Sequence, residues 1–523
     1  MSADAIEVAG KDDTESPDAL LRRIYDEDFG FLPTNASMKP VHVANGLARR
    51  LVGYTTDHVP LARVLRQFVK KQAQGYMDER NPNTAILADY PERFRDSYGN
   101  QPSDEQLTTF RSLAKETLGA DGAAFETNQA SFTLSHHRMI TGDISDNGSG
   151  DLLASLLTAG EAQRPAPGAA LVLELLREDA DPWTMIGWPM LDIGQERAAT
   201  LSGVALTRSQ RVAELLAVDA DGLLLSPTLR ELRARYDQLA KYEATHGAKL
   251  TALRRMVLFG CFSIHVHMIR RCADVMPGGD GPRPPILLDL FDGRRRGLRE
   301  ASAATFESGR RAIEQLILYR IGQHVAALTG GTQQGVGKYL DSLPPNDDND
   351  KLRSEFGLQL VGAEPLDALT EAYWRTGYSG VGPKAGKGFP WHALLALGRR
   401  SGYLLPYDDR GRGGKEHKRY GCNAEFAEVL IASVVRPRDP IDFDEFLDRL
   451  RESFGIVVGR RVDFDIIRRN DLHPAGVMHR SVSVNENDLR ANLLAFKNLI
   501  IDIGLGKSYA DGRTVVMTDE EPH

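Results

Sequence analysis

The sequence predicts a mainly α, multi-domain protein, in which helical N-terminal and central regions precede a small α+β, winged-helix-like C-terminal module. Two long segments, 248–276 and 305–331, are apolar at helical spacing and predict core helices. Near the C-terminus, Asp511 and Gly512 stand between short runs and predict a hairpin turn. A chain of 523 residues is long enough for roughly two to four domains.

Composition shifts and helix signals divide the chain further. Ser103 and Gly119 are start and stop signals of one helix. Asp442 is the expected N-cap, in a variant of the capping box, of a helix that ends at Gly455, and a second helix is expected over 488–503. The predicted regions are a flexible N-terminus at 1–20, a helical domain at 21–160, a central helical domain at 170–330, a segment rich in glycine, aromatic and basic residues at 331–421, and the winged-helix-like module at 436–523.

The composition is that of an ordinary soluble globular protein, with 42% hydrophobic and 26% charged residues. Three cysteines are few and odd in number, as expected in a reducing cytosol. The acidic N-terminus lacks the apolar core of a signal peptide, and no run of about 18 apolar residues predicts a membrane span. We therefore expect a cytoplasmic protein. Its net charge of -8 argues against nucleic-acid binding over the whole surface but leaves a local basic patch open.

Three glycine-rich stretches resemble the phosphate-binding loop of ATPases, in which a glycine and four residues precede Gly-Lys-Ser/Thr after a strand. In 328–339, Thr332 stands at the position of the first glycine and Tyr339 replaces the hydroxyl ligand of magnesium. That stretch follows a helical pattern, so its glycines are better explained as a helix C-cap. The stretches 380–388 and 502–512 also lack the first glycine. The sequence therefore predicts no nucleotide cofactor.

Candidate metal ligands are incomplete. The stretch 143–154 starts like a calcium loop but has Ala154 where a bidentate glutamate is required. Cys261 and Cys272 lie on one predicted helix at a separation of about 16 Å, which is too far to share an ion. His265 on the same helix is expected to be a hydrogen-bonded core residue. We predict neither a metal site nor a catalytic residue.

A metal-dependent nuclease is the competing hypothesis. The stretch 286–301 contains Asp289, Asp292 and Glu300 beside three consecutive arginines at 294–296. Clustered carboxylates can hold a metal ion on a scissile phosphate, and Asp289 and Asp292 are the candidates for this role. The acids match no nuclease signature, however, and the arginines are equally explained as a solvated face.

The segment between Tyr373 and Cys422 is basic, aromatic and rich in glycine in an otherwise acidic chain. Glycine lets the backbone approach a phosphate, lysine and arginine neutralise it, and aromatic rings stack on unpaired bases. The alternative is that these charges face acids of the same chain or of a partner protein. The predicted nucleic-acid-binding residues are Lys384, Lys387, Arg399, Arg400, Arg410, Arg412, Lys415, Lys418 and Arg419.

Over 284–317, 446–459 and 492–516, the chain resembles accessory subunits of bacterial multi-gene antiphage defence systems. These are the non-ATPase, non-methylase subunits of methylation-associated and phosphorothioation-dependent systems. The resemblance implies a non-catalytic binding or adaptor subunit that works beside an ATPase and a DNA-modification enzyme in the cytoplasm. It supplies no catalytic residues. A winged-helix-like module binds either DNA or proteins, so that part of the fold does not decide between them.

Overall fold

The structure confirms a mainly α protein. This computed structural model describes residues 15–33, 38–53, 83, 87, 91–95, 98–118, 136–140, 144–160, 166–177, 185, 210–279, 281, 283–381, 390–407, 418–469 and 484–518. Within these residues the chain forms seventeen α-helices and seven short β-strands. The helices therefore form the body of the protein, and the strands are confined to two small sheets.

Six helices lie in the N-terminal part of the described chain. α1 begins after Ser16, whose hydroxyl accepts a hydrogen bond from the Ala19 amide, and ends at Gly30 in the left-handed conformation. The predicted start at Ser103 is confirmed, because Ser103 and Gln106 accept hydrogen bonds from each other's amides. The six are α1 (Pro17–Phe29), α2 (Pro40–Val52), α3 (Asp104–Leu118), α4 (Ser149–Thr158), α5 (Pro167–Leu175) and α6 (Gln210–Leu215).

A long buried helix, α8, lies at the centre of the protein and confirms the core helix predicted at 248–276. It follows α7 (Pro227–His246), spans Lys249–Val275 and precedes α9 (Arg296–Thr329). By length and composition α8 could cross a membrane, but 89% of its most apolar stretch is buried inside the fold. Such burial is typical of the core helix of a soluble protein.

The glycine-rich stretch 328–339 forms the junction of two helices, as its C-cap explanation predicts. α9 ends with Gly330 and Gly331 at φ 62° and 65°. Thr332 then caps α10 by accepting a hydrogen bond from the Gly335 amide at 3.0 Å. The helices that follow are α10 (Gln333–Ser342), α11 (Asp347–Gln359), α12 (Pro365–Val381), α13 (Trp391–Arg400) and α14 (Ala424–Val434).

The larger sheet has the strand order β2-β3-β1-β5. β1 runs parallel to both β3 and β5, whereas β2 and β3 are antiparallel. All four residues of β1 are buried, so this strand is the centre of the sheet. The strands are β1 (Ile286–Asp289), β2 (Leu404–Pro406), β3 (Lys418–Gly421) and β5 (Ile456–Val457).

The C-terminal segment contains three helices and the smaller, antiparallel sheet β4-β7-β6. The hairpin predicted at Asp511 and Gly512 is confirmed, since β6 and β7 pair across this turn. The predicted capping box at Asp442 is wrong in one respect: its carboxylate binds Arg513 instead of capping a helix amide. The elements are β4 (Ile441–Asp442), α15 (Phe443–Phe454), α16 (Arg461–Arg469), α17 (Glu486–Asp502), β6 (Gly506–Ser508) and β7 (Thr514–Val516).

One apolar core connects residues from α1 to β7. A smaller cluster, which includes Leu287, Leu298 and Leu489, packs between β1, α9 and α17. Because β5 pairs with β1, the C-terminal segment and the central region also share a sheet. The predicted domain limits and the winged-helix character of the last region stay predictions.

Replacing Gly150 by alanine should destabilise the fold, because α2 and α4 cross in close contact there. A Cβ at Gly150 would lie 2.4 Å from the Leu47 amide nitrogen and 2.6 Å from the Gly46 Cα. Overpacking of this kind costs about 1–3 kcal/mol, which equilibrium unfolding in urea can measure. The control is Gly337→Ala on α10, where a Cβ meets nothing within 4 Å. Equal stability of the two variants would contradict the tight crossing.

Candidate nucleic-acid interface

The carboxyl end of β1 lies where ligands commonly bind in proteins with parallel sheets. β1 ends at Asp289, and its parallel neighbours end at Gly421 and Val457, so three strand ends meet at one edge. The chain then passes through residues 290–295, here named the β1 turn, and starts α9 at Arg296. Ligands of open parallel sheets bind outside this edge. Topology therefore favours the β1 turn as part of a site.

Asp289 holds the β1 turn in shape. Its Oδ1 accepts a hydrogen bond from the Phe291 amide and its Oδ2 accepts one from the Gly293 amide, both at 2.9 Å. The turn itself needs left-handed backbone at Asp292 (φ 52°) and Gly293 (φ 75°). Burial raises the pKa of Asp289, and the two amides and the positive charge of Arg419 oppose that rise. A buried carboxylate thus organises the turn from beneath.

Arg419 requires a correction to its predicted role, because it does not lie on the open surface. It is only 4% exposed. Its Nη1 lies 3.4 Å from Asp289 Oδ2, and its Nη2 lies 3.9 Å from Asp292 Oδ1. Strand geometry directs successive side chains to opposite faces, so Arg419 points beneath the β1 turn while Lys418 and Tyr420 point away. Arg419 therefore pairs with acids of the same chain, which is one of the alternatives to nucleic-acid binding that the sequence left open.

The arginines at the end of the β1 turn and at the start of α9 remain at the surface. Arg294 and Arg296 are exposed, and Arg296 forms an ion pair with Glu300 at 2.8 Å on the same helix. Arg295 is half-buried and donates a hydrogen bond to Asp488 on α17 at 3.0 Å. Exposed ion pairs contribute little to stability. These arginines therefore contribute more to the positive charge of the surface than to the stability of the fold.

The structure brings the β1 turn against the end of β2. The Arg299 guanidinium lies 4.9 Å from the centre of the Tyr407 ring, and Arg299 Nη1 donates to the Gly293 carbonyl at 3.1 Å. The Tyr407 carbonyl oxygen lies only 3.4 Å from the position that a Cβ on Gly293 would occupy. Tyr407 is the last described residue before 408–417. Two basic segments that are distant in sequence are thus neighbours in space.

Further cations lie around the β2–β3 hairpin. Arg399 and Arg400 are exposed at the end of α13, and Lys418 is half-buried at the start of β3. Burial and then the charge of nearby Arg399 lower the pKa of Lys418. We use the name basic surface for the group formed by Arg294, Arg296, Arg299, Arg399, Arg400 and Lys418.

The predicted nucleic-acid-binding residues therefore divide into three groups. Arg399, Arg400 and Lys418 belong to the basic surface, and Arg419 lies beneath the β1 turn. The others lie outside the described residues, namely Lys384, Lys387, Arg410, Arg412 and Lys415.

The acids of the nuclease hypothesis do not form a metal site in the described part of the chain. Both oxygens of Asp289 already accept amide hydrogen bonds, and Asp292 has a side chain that is 72% exposed. Glu300 binds Arg296. The described residues contain no group of three or more His, Cys, Asp or Glu that could hold a metal ion. The geometry at Asp289 is that of a structural carboxylate.

Cys261 and His265 of α8 are core residues, as expected. His265 Nε2 and the Tyr420 hydroxyl form a hydrogen bond at 2.8 Å. Burial lowers the pKa of His265 to about 3 and raises the pKa of Cys261 to about 12. His265 is thus held neutral within the core.

Two buried polar residues that support the site were not singled out from the sequence. Asn492 donates to the Leu288 and Val458 carbonyls at 2.7 and 2.6 Å and accepts from the Leu290 amide. Ser302 donates to the Leu287 carbonyl at 2.7 Å. The sequence does contain a signal for Asn492, because a polar residue within the buried stripe of a predicted helix indicates a buried hydrogen-bonding role.

Comparisons with protein-family models, with curated proteins and with solved structures found no match for this chain. The chemistry of the basic surface and of the β1 turn must therefore be judged from their own geometry. Exposed guanidinium groups, a left-handed turn and a helix start are arranged at the carboxyl edge of a parallel sheet. Each of these features favours the binding of an anion.

Replacing Arg419 by methionine should destabilise the protein by about 3–5 kcal/mol near neutral pH, because it leaves Asp289 as an unpaired buried charge. The folded-state pKa of Asp289, already raised by burial, should rise further in the variant. A protonated carboxyl needs no cation, so the loss relative to wild type should shrink as the pH falls towards the unfolded pKa of about 4. Thermal unfolding at pH 8 and pH 5 measures this difference.

The matched control removes both charges, as Asp289→Asn with Arg419→Met. Its stability difference from wild type should depend less on pH than that of the single variant, since no buried carboxylate remains to be ionised. A single variant that loses the same stability at both pH values would rule out this role of the ion pair.

Proposed function

We propose that the protein is a non-catalytic nucleic-acid-binding subunit that contacts DNA phosphates through the basic surface. One observation carries the proposal: the β1 turn and Arg299 contact Tyr407 at the end of β2, so the arginines after β1 and the cations of the β2–β3 hairpin lie on neighbouring elements, although the sequence separates them widely. Cations on neighbouring elements of an acidic protein concentrate attraction for a polyanion in one region.

The side-chain chemistry fits phosphate better than it fits a carboxylate on a protein. Most of the basic surface consists of arginine, whose planar fork donates two parallel hydrogen bonds to phosphate oxygens. The ring of Tyr407 supports Arg299, and the ring of Phe291 lies 4.3 Å from Arg295. Such stacking restricts the guanidinium before a ligand arrives, which lowers the entropy that binding costs. Contacts of this kind position a nucleic acid without reading its sequence.

The resemblance to antiphage defence subunits supports a place in a larger assembly with an ATPase and a DNA-modification enzyme. Apolar residues exposed where α11 ends are consistent with a protein partner on that side: Leu358, Leu360 and Val361 are 65%, 41% and 87% exposed. The nuclease alternative has less support, because both oxygens of Asp289 are engaged within the β1 turn. A binding or adaptor role in a DNA-directed complex is therefore our proposal.

Replacing Arg294, Arg399 and Arg400 together by alanine should weaken DNA binding and reduce its salt dependence. Each lost phosphate contact lowers the slope of log K against log salt by about 0.9 on duplex DNA, so three contacts give a decrease of up to about 2.7. The three side chains are exposed, so the fold should be retained. Fluorescence anisotropy with a labelled duplex at several salt concentrations measures the slope.

The matched control removes three exposed cations from other elements, as Lys241→Ala, Lys338→Ala and Arg490→Ala. It changes the net charge equally and should leave the slope close to that of wild type. Equal slopes for both triple variants, or no binding by wild type, would leave the basic surface without a DNA role. Plasmid nicking in Mn²⁺ that Asp289→Asn abolishes would favour the nuclease instead.

A further inference from the structure

We propose that a groove between α9 and α12 is the docking site for a basic amphipathic helix of a protein partner. The groove has a volume of about 560 Å³ and is here named the α9–α12 groove. α9 contributes Leu318, Tyr319, Gly322 and Ala326 to its lining, and none of the lining residues belongs to the basic surface. The inference rests on the adaptor part of the proposed function and names the chemistry of the partner. It does not depend on DNA binding.

Gly322 keeps the floor of the groove open. It lies in the interior of the 34-residue helix α9, where glycine is destabilising relative to alanine. Packing against α12 does not require glycine, because a Cβ at Gly322 would lie 3.8 Å from Thr370 Oγ1 and 3.9 Å from Thr370 Cγ2, which is ordinary contact. Ala326, one helical turn later, is also small. These two positions therefore leave room for an apolar side chain from outside.

The neutral polar side chains of the groove already have hydrogen-bond partners within the fold. Gln323 Nε2 donates to the Tyr319 hydroxyl at 2.9 Å, and the Thr370 hydroxyl donates to the Leu366 carbonyl at 2.9 Å. Leu318 and the ring of Tyr319 add apolar surface beside them. A polar ligand gains little from groups that are already paired, whereas covering apolar surface stabilises a complex. The lining therefore favours an apolar anchor over a polar small molecule.

The charge around the groove is complementary to a basic partner. The charged residues that line the groove are both acidic, namely Asp367 and Glu371. Asp367 is exposed, and Glu371 forms an ion pair with the exposed Arg375 at 2.8 Å. The chain that leads into the groove, 339–371, contains eight acidic and two basic residues, and both basic residues pair with acids of the same segment. The excess of carboxylates attracts lysine and arginine side chains and repels DNA.

The shape of the groove suits a helix. Its lining on α9 spans 318–326, which is about 12 Å along the helix axis. The connection 360–364 leads directly into the first turn of α12, which contains Asp367, and this connection exposes the apolar side chains of Leu360 and Val361. A surface groove between two packed helices accepts the apolar face of a third, amphipathic helix. Lysines and arginines that flank this apolar face would then lie beside the carboxylates of the groove.

The decisive variant is Gly322→Leu, which fills the groove from its floor. The probe is a fluorescein-labelled helical peptide of about 14 leucine and lysine residues with all leucines on one face. Gly322→Leu should bind this peptide at least about tenfold more weakly than wild type in fluorescence anisotropy, because the leucine occupies the place of the anchor. Its urea midpoint should not fall below that of wild type, since leucine is a better helix former than glycine.

The matched control is Gly337→Leu on α10, where a Cβ meets nothing within 4 Å and which lies outside the groove. This variant should bind the peptide like wild type. Absence of peptide binding by wild type, or equal affinity of the two glycine variants, overturns the docking site.

A second arm tests the charge of the partner. Asp367→Asn combined with Glu371→Gln should weaken peptide binding about fivefold and reduce its salt dependence, because two carboxylates beside the lysines lose their charge. The control combines Glu214→Gln with Asp502→Asn, two exposed acids on α6 and α17, and should keep the wild-type affinity. A peptide with glutamate in place of lysine should bind wild type at least about tenfold more weakly. Equal binding of the two peptides overturns the assignment to a basic partner.

DNA binding separates this inference from the proposed function. Gly322→Leu should bind duplex DNA with the salt dependence of wild type, because the groove and the basic surface share no residue. If DNA binding is retained and the peptide fails, the docking site is overturned and the DNA role stands. If the peptide binds as expected and DNA does not, the docking site stands without the DNA role. A dimer of wild type that Gly322→Leu dissociates in analytical ultracentrifugation would identify a second copy as the occupant and overturn the partner helix.

Discussion

The burial of β1 is the constraint on which the rest of the structure depends. This strand has only four residues, all buried, and its amides and carbonyls cannot reach water. β3 and β5 pair with it on its two sides, and Ser302 and Asn492 bind carbonyls that lie along it. Each of these partners comes from a different helix or strand, and all but Ser302 lie far along the chain. The hydrogen bonds that this short strand requires therefore hold α9, the β2–β3 hairpin and the C-terminal helices together.

The same constraint shapes the candidate site. β1 ends in Asp289, and the ion pair with Arg419 of β3 neutralises the carboxylate that folds the β1 turn. The guanidinium that stabilises the turn from below lies against Gly293, and the Arg299 guanidinium on α9 lies over the Tyr407 ring. Core packing, turn geometry and surface charge are thus physically connected. A ligand at the turn would act on a structure that is already fixed at the sheet edge.

Under the proposed function, the basic surface is the part of this acidic protein that would hold a polyanion. The net charge of -8 repels DNA from most of the surface at long range, but salt screens that repulsion beyond about 10 Å. Within that distance the local arginines dominate. Under the proposed function, such an arrangement favours contact with DNA in one orientation.

Local sequence signals were sufficient for the helical fold class, the core helix α8, the C-cap at Gly330 and the hairpin at Gly512, because periodicity, capping and turn chemistry act over a few residues. They also identified Arg399, Arg400 and Lys418 as part of a basic segment. Only the tertiary structure decided that Arg419 turns inward and that the β1 turn meets Tyr407. Parallel pairing of strands two to four residues long leaves almost no pattern in the sequence, and which face a side chain takes depends on distant partners.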